Sequence, residues 1–135
     1  MPWLPYYQHL SKGQKQLCIL ARTFVADSPL LLLDEPESAL NFRFRYRMLS
    51  SIRSWLTEGD RCGVVALHDP ALALNFCDEL LLLSGGGLIG RIFPGADRLD
   101  KMEAMLEKIY GKISLLRCQN RSEQEQLVML KEGTI

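Results

Sequence analysis

Residues 10–41 read LSKGQKQLCILARTFVADSPLLLLDEPESALN, and three different kinds of segment follow one another within them. A short polar loop at 10–14 opens a stretch whose apolar residues recur at helical spacing. The four leucines at 30–33 form a run long enough for a buried strand and far too short to cross a membrane. Asp34 and Glu35 then end that strand, and a proline follows them. The order predicts a helix, a buried strand and a turn that bears carboxylates.

The flanking sequence extends this pattern in both directions. Ser11 is a candidate N-cap with Gln14 as its capping-box partner, so we expect a helix from about residue 12 to 26. Residues 42–47 alternate as a strand would, but the longer recurrence of apolar residues favours a helix over about 40–57. Beyond it the patterns predict, in order, a strand at 62–67, a helix at 70–77, strands at 79–84 and 88–93 joined by a turn at Gly85–Gly87, a helix at 101–110, and strands at 113–118 and 126–130.

This order of elements predicts the fold class. Strands that are continuously apolar and alternate with helices indicate an α/β fold, with a mostly parallel sheet flanked by helices and a C-terminal β-hairpin region. The length of 135 residues fits a single domain over 1–135. Ligands of parallel sheets gather beyond the carboxyl ends of the strands, where Asp34, Glu35 and His68 fall. We therefore expect a site at that edge.

Composition excludes several classes of protein. Sixteen basic residues balance sixteen acidic ones, so no nucleic-acid partner is expected. No apolar run is long enough for a membrane span, and the N-terminus has no signal-peptide pattern, which favours a cytoplasmic location. The four cysteines are widely spaced, and we expect them to be reduced and buried as small apolar residues. The arginines among residues 43–47 are interpreted as a solvated face, with a basic docking surface as the alternative.

Two short segments carry the chemistry. Adjacent carboxylates at a strand end, such as Asp34 and Glu35, can divide the work of a metal-assisted phosphoryl transfer, in which one carboxylate holds Mg²⁺ and another group orients the attacking water. The alternative for this pair alone is an ordinary turn. Ser11 and Gly13 open a helix, and helix N-termini attract anions such as phosphate. A strand that ends in His68 completes the set.

The set LSKGQ (10–14), LLLLDEP (30–36), SALN (38–41) and His68 resembles the second half of an ATP-binding-cassette (ABC) ATPase domain over nearly the whole chain. The implied fold is a partial P-loop NTPase fold. The resemblance implies that the signature loop, which contacts ATP held by a partner subunit, consists of Ser11, Lys12, Gly13 and Gln14. It also implies that Asp34 is the Walker B aspartate that binds Mg²⁺ and that Glu35 is the catalytic glutamate. By the same resemblance, Ser38 and Asn41 belong to the D-loop at the dimer interface, and His68 is the switch histidine at the γ-phosphate.

The same resemblance implies partners and a task. The expected partners are a second ABC ATPase subunit in a dimer and a transmembrane permease, which places the protein at the inner face of the membrane. Residues 106–117 are similar to importers of the iron-siderophore or cobalamin type. The implied function is that of a subunit that binds and hydrolyses ATP to energise import of a small solute such as an iron complex.

The chain departs from the family pattern in three respects. It contains no G-x-x-x-x-G-K-[ST] P-loop, the segment that cradles the phosphates, and no upstream adenine-stacking strand or Q-loop. Lys12 stands where the family usually has glycine, and Asn41 where it usually has aspartate. We therefore expect residues 1–135 alone neither to bind ATP tightly nor to hydrolyse it. Two alternatives remain open: a non-catalytic module that pairs with a full-length ABC ATPase, and an ABC-type ATPase outside transport.

Overall fold

The secondary structure follows the sequence patterns closely in the described part of the chain, residues 6–133 of a computed structural model. A short 3₁₀ turn at Tyr7–His9 precedes the first helix. The elements are, in chain order, α1 Lys12–Ala26, β1 Leu30–Asp34, α2 Phe42–Thr57, β2 Cys62–Ala66, α3 Pro70–Phe76, β3 Leu80–Ser84, β4 Gly87–Ile92, α4 Leu99–Tyr110, β5 Ile113–Gln119 and β6 Glu125–Lys131. Every predicted helix and strand is present, and the predictions are confirmed to within two residues at each boundary.

Local capping explains where the first two helices begin and end. The Ser11 hydroxyl accepts from the Gln14 backbone N–H, and the Gln14 side chain accepts from the Ser11 N–H, which confirms the predicted capping box. Asp27 ends α1 in a left-handed conformation with φ of 50°. Helix α2 begins at Phe42, two residues later than expected, because Asn41 is its N-cap and not a helical residue.

Parallel pairing is limited to one strand pair among the described residues. β1 and β2 run parallel, with Leu30 opposite Cys62 and Asp34 opposite Ala66. β3 pairs with β4 and β5 pairs with β6, both antiparallel. The α/β class and the C-terminal hairpin are thus confirmed, but the expectation of a mostly parallel sheet is corrected: three two-stranded sheets are present. Tight turns after β3 and β5 return the chain directly, and direct returns produce antiparallel pairs.

The chain divides into two compact units, Met1–His68 and Asp69–Ile135. The interpretation of residues 1–135 as a single domain therefore stays a prediction. In the first unit the indole of Trp55 stacks on Phe24 with ring centroids 4.8 Å apart, which joins α1 to α2. Its buried apolar side chains are Leu20, Leu31, Leu40, Met48, Leu49 and Ile52.

The second unit has its own apolar core and one polar clamp. The clamp is Asn75 on α3, whose amide donates to the Leu127 carbonyl (2.9 Å) and accepts from the Leu127 N–H (2.8 Å). Both backbone groups of Leu127 are thereby satisfied by one side chain. The core consists of Leu74, Leu80, Leu82, Ile92, Met102, Leu106, Ile113, Leu115 and Leu127.

One face of the β1–β2 pair is exposed in the described chain. Leu32 and its neighbour across the pair, Val64, are 67% and 55% exposed. The four cysteines are free, as expected, but Cys62 and Cys118 are exposed, so the expectation that all four are buried is wrong. Cys62 lies on the same open face of β2 as Val64. Within residues 6–133 no helix is long and apolar enough to span a bilayer.

Candidate functional site

Glu35 and His68 meet at the carboxyl ends of the parallel strands β1 and β2. The backbone N–H of Glu35 donates to the Ala66 carbonyl (2.9 Å), so the pairing of the two strands continues one residue past β1. His68 follows β2 by two residues, and its Nε2 atom lies 2.5 Å from Glu35 Oε1. Both side chains remain accessible, with exposed fractions of 83% for His68 and 40% for Glu35. A carboxylate and an imidazole that lie side by side and are accessible to solvent can bind a water and a phosphate oxygen next to each other.

The backbone of Glu35 is in an unusual conformation. Its φ is 47°, in the left-handed region that residues other than glycine, asparagine and aspartate seldom adopt. Such a conformation costs about 1 kcal/mol or more, and it persists where the surrounding structure enforces it. Here the bond to Ala66 and the turn that follows fix the backbone. The strained conformation directs the Glu35 carboxylate toward His68 instead of along the strand.

Asp34 is the last residue of β1, and its side chain is exposed. Magnesium is commonly held by one or two carboxylates together with water and phosphate oxygens. An exposed carboxylate at a strand end fits that requirement as a single ligand. No group of three or more acidic, histidine or cysteine side chains that could enclose a metal ion occurs in the part of the chain that the structure describes.

The first turn of α1 packs on the turn that follows Glu35. A Cβ atom added to Gly13 would lie 3.0 Å from the Ala39 carbonyl oxygen and 3.0 Å from Leu40 Cδ2, so glycine alone fits there without displacement. A second link is the Gln16 amide, which donates to the Pro36 carbonyl (3.2 Å). These contacts tie the N-terminus of α1 to the segment between Glu35 and α2.

The remaining residues of this loop are solvent-facing. Ser11, Lys12 and Gln14 are exposed, and the Ser11 oxygen that accepts from Gln14 still has its own O–H to donate. Lys12 brings a positive charge to a helix end that already attracts anions. This part of the chain therefore presents N–H, O–H and ammonium donors in one exposed loop.

The turn after Glu35 contains three features that the sequence does not reveal. The Asn41 amide oxygen accepts a hydrogen bond from the Phe44 N–H (3.1 Å), so Asn41 caps α2, and this residue is exposed. Ser38 is exposed, and its N–H donates to the Glu35 carbonyl (3.2 Å). Glu37 is only 4% exposed, and its Oε2 atom has no hydrogen-bond partner among the described residues. A buried carboxylate without a donor is uncommon and costly.

The structure thus brings the predicted residues together in two neighbouring groups within the first unit. Glu35 and His68 are in direct contact, and Asp34 precedes them at the strand end. Gly13 lies against Ala39 and Leu40 of the turn after Glu35. The sequence analysis did not single out Gln16 or Glu37. The position of Gln16 in the first turns of α1, near the capping serine, is a weak indication that its side chain contacts a neighbouring segment.

Comparison with known proteins agrees with this geometry. The family model "ABC transporter" matches residues 3–38. The chain is 40% identical over 77 residues to the cobalamin import ATP-binding protein BtuD of Halobacterium salinarum, an overlap of 57% of this chain and 19% of that protein. It is 35% identical over 120 residues to the hemin import ATP-binding protein HmuV of Vibrio anguillarum, with 82% and 43% covered.

A solved structure supports the fold. A metal-chelate type ABC transporter in an inward-facing conformation superposes with a TM-score of 0.73 at 24% identity, over 93% of this chain and 49% of that one. The chain spans less than half the length of each of these proteins. In sequence and in fold, this chain is similar to the C-terminal portion of an ABC transporter ATP-binding subunit, with a partial P-loop NTPase fold.

Proposed function

We propose that this chain supplies the signature, Walker B, D-loop and switch elements of an ABC-type ATPase that energises import of a small solute. The observation that carries the proposal is the contact between Glu35 and His68 at the carboxyl ends of β1 and β2. Glu35 orients the attacking water, and His68 donates to the γ-phosphate of ATP. Asp34 would hold Mg²⁺, and the bound ion would supply positive charge to offset the negative charge of the phosphates.

The exposed loop at the start of α1 has a different task in this proposal. Ser11, Lys12, Gly13 and Gln14 close on the phosphates of a nucleotide that another subunit holds, through the donors at the helix N-terminus. Gly13 keeps the loop against the D-loop segment because no larger residue fits beside Ala39. Ser38 and Asn41 then face the partner subunit in the dimer, where Asn41 can use its remaining N–H donors.

In this proposal, the part of the site that binds the nucleotide phosphates comes from polypeptide outside residues 1–135. No P-loop motif occurs in the 135 residues, so each composite site needs a segment with G-x-x-x-x-G-K-[ST] from elsewhere. The exposed face of β1–β2 supports this idea, because parallel strands are normally covered on both faces. Residues 1–135 alone should accordingly neither bind ATP tightly nor hydrolyse it.

The relatives support a proposal about the solute and the location. Proteins that the chain matches are named for import of cobalamin, hemin and thiamine, and the structural neighbour for metal chelates. We propose a small solute such as an iron complex, moved by a permease to which the ATPase binds at the inner face of the membrane.

A complementation assay tests the proposal. The P-loop-bearing N-terminal part of the hemin import protein of Vibrio anguillarum is mixed with residues 1–135, and phosphate release from Mg-ATP is measured. We expect hydrolysis only in the mixture, a fall in kcat of about 10²-fold or more for Glu35→Gln, and a similar loss for His68→Ala. Glu79→Gln, which removes an exposed acid that pairs with Arg91, is the matched control and should leave the rate unchanged.

Three outcomes would count against this proposal. Micromolar affinity of residues 1–135 alone for ATP would show that the site is not shared between two segments. Complex formation with a full-length ABC ATPase, with hydrolysis indifferent to Glu35→Gln, would favour the alternative of a non-catalytic pairing module. An active mixture with no dependence on His68 would remove the switch role of that residue.

A further inference from the structure

The groove between α1 and α2 is apolar inside and basic along its sides. It has a volume of about 260 Å³ and is open to solvent. Leu17 on α1 and Phe44 on α2 line it and are each 39% exposed. The full lining is Leu17, Leu20, Ala21, Phe24, Phe44, Arg47, Met48 and Ser51.

The charges of the two helices are of one sign. Neither α1 nor α2 contains an aspartate or a glutamate, although the whole chain has no net charge. The nearest acid after α1, Asp27, is already bound to Arg61, and Glu58 and Asp60 follow the end of α2. The basic residues on the two helices are Lys12, Lys15, Arg22, Arg43, Arg45, Arg47 and Arg53.

Not all of these cations face the groove. The Arg45 Nε–H donates to the Leu40 carbonyl (2.8 Å), so this arginine serves the start of α2. Arg47 lines the groove and lies over the Phe44 ring with its guanidinium carbon 5.9 Å from the centroid. Arg43 is exposed one turn before Arg47 on α2, and residues four apart lie on the same side of a helix. These two arginines lie beside an apolar floor.

We propose that this groove is a docking site for a helix of a partner protein with an apolar ridge flanked by acidic residues. Helices bind in grooves by inserting apolar side chains at i, i+3 or i+4 and i+7, and the charges beside the ridge decide which helix is accepted. Leu17, Phe44 and the floor between them would receive the ridge, and Arg43 and Arg47 would pair with the acids. The proposal does not depend on nucleotide chemistry.

The shape of the surface favours a helix over the other anionic partners. A membrane surface is broad and would meet the outer rims of both helices but not the recessed side chains of Leu20 and Met48, which are buried. Nucleic acid would be bound through its phosphates and by stacking of bases on exposed rings, and neither contact uses the aliphatic side chains of the floor. A helix with one apolar ridge uses both the floor and the flanking charges.

Two fluorescein-labelled synthetic peptides test the proposal. Both are about 18 residues long with the same leucine ridge at helical spacing, and they differ in having glutamate or lysine at the flanking positions. Binding to residues 1–135 is followed by fluorescence anisotropy. We expect the glutamate peptide to bind at least about tenfold more tightly than the lysine peptide, and its affinity to fall several-fold between about 50 mM and about 300 mM salt.

Variants separate the groove from general electrostatics. The double variant Arg43→Glu/Arg47→Glu should reverse the preference, so that the lysine peptide binds more tightly. The double variant Arg98→Glu/Arg121→Glu changes the net charge by the same amount, on exposed residues of the second unit, and should leave the affinity for both peptides unchanged. Leu17→Asn should weaken both peptides. Far-ultraviolet circular dichroism of each variant confirms that it is folded.

Three results would overturn the proposal. The first is equal affinity for the two peptides, or no binding of either. The second is an equal loss of affinity for the glutamate peptide in Arg98→Glu/Arg121→Glu and in Arg43→Glu/Arg47→Glu, which would show that the effect depends only on net charge. The third is binding to phosphatidylglycerol vesicles but not to phosphatidylcholine vesicles, abolished by Arg43→Glu/Arg47→Glu, with no peptide binding. That result would identify the surface as a membrane contact.

Discussion

Replacement of Gly13 by alanine tests whether the start of α1 is fixed against the turn after Glu35. Two effects oppose each other. Alanine is favoured over glycine in a helix by about 1 kcal/mol, which would stabilise α1. The added Cβ, however, would lie 3.0 Å from the Ala39 carbonyl oxygen and 3.0 Å from Leu40 Cδ2. Overpacking of this kind costs about 1–3 kcal/mol, and a backbone oxygen cannot rotate away as a long side chain can.

We therefore expect Gly13→Ala to destabilise the chain by roughly 1 kcal/mol, the excess of the packing cost over the helix gain. The assay is urea unfolding followed by tryptophan fluorescence, which reports on Trp55 between α1 and α2. The control is Gly95→Ala, since a Cβ added at Gly95 would meet nothing within 4 Å. If Gly13→Ala proved more stable than the original chain, helix propensity would dominate and the close packing described here would be wrong.

Three further predictions concern single residues. At Glu35 the left-handed backbone should make Glu35→Asn more stable than Glu35→Gln by about 0.5–1 kcal/mol, measured by urea unfolding, because asparagine tolerates positive φ. Arg61→Lys should cost about 1–2 kcal/mol in the same assay, since a lysine cannot reach Asp27 and the Trp55 carbonyl together or stack on the indole. The Phe93 N–H and Lys101 lower the pKa of Asp97, so its contribution to stability should be present above the ordinary aspartate pKa of about 3.9 and fade below it.

Each of these has a control or a contrary result. The same Asn and Gln substitutions at Glu79, which also pairs with an arginine but has no positive φ, should show no preference for asparagine. Arg98→Lys, at an exposed pair with Asp100, should leave stability nearly unchanged. For Asp97→Asn, a stability deficit that remained constant from about pH 6 to about pH 3 would contradict the assignment.

The features that sequence reasoning predicted are those that depend on neighbours along the chain. The capping box of Ser11 and Gln14 and the strand at 30–34 are local patterns, and the structure reproduces them. The meeting of Glu35 and His68 was also predictable, because two parallel strands bring their carboxyl ends to one edge.

What could not be predicted depends on residues that lie far apart in the sequence. The left-handed backbone of Glu35 occurs where its N–H bonds to Ala66, 31 residues away, and glutamate is not a residue type that predicts a positive φ. The burial of Glu37 contradicts the usual preference of glutamate for solvent. The Gly85–Gly86 turn makes β3 pair antiparallel with β4. The sequence analysis predicted this turn but still expected a mostly parallel sheet.

The Asn75 clamp has a consequence for how copies of this chain behave toward each other. The outer edge of β6 is a row of backbone donors and acceptors that another molecule's strand could join. Asn75 occupies the N–H and C=O of Leu127 in the middle of that row, as a neighbouring strand would. An incoming strand would have to displace this amide before it could form an uninterrupted ladder, so one side chain protects the hairpin from intermolecular β-pairing and the fibrils it can start.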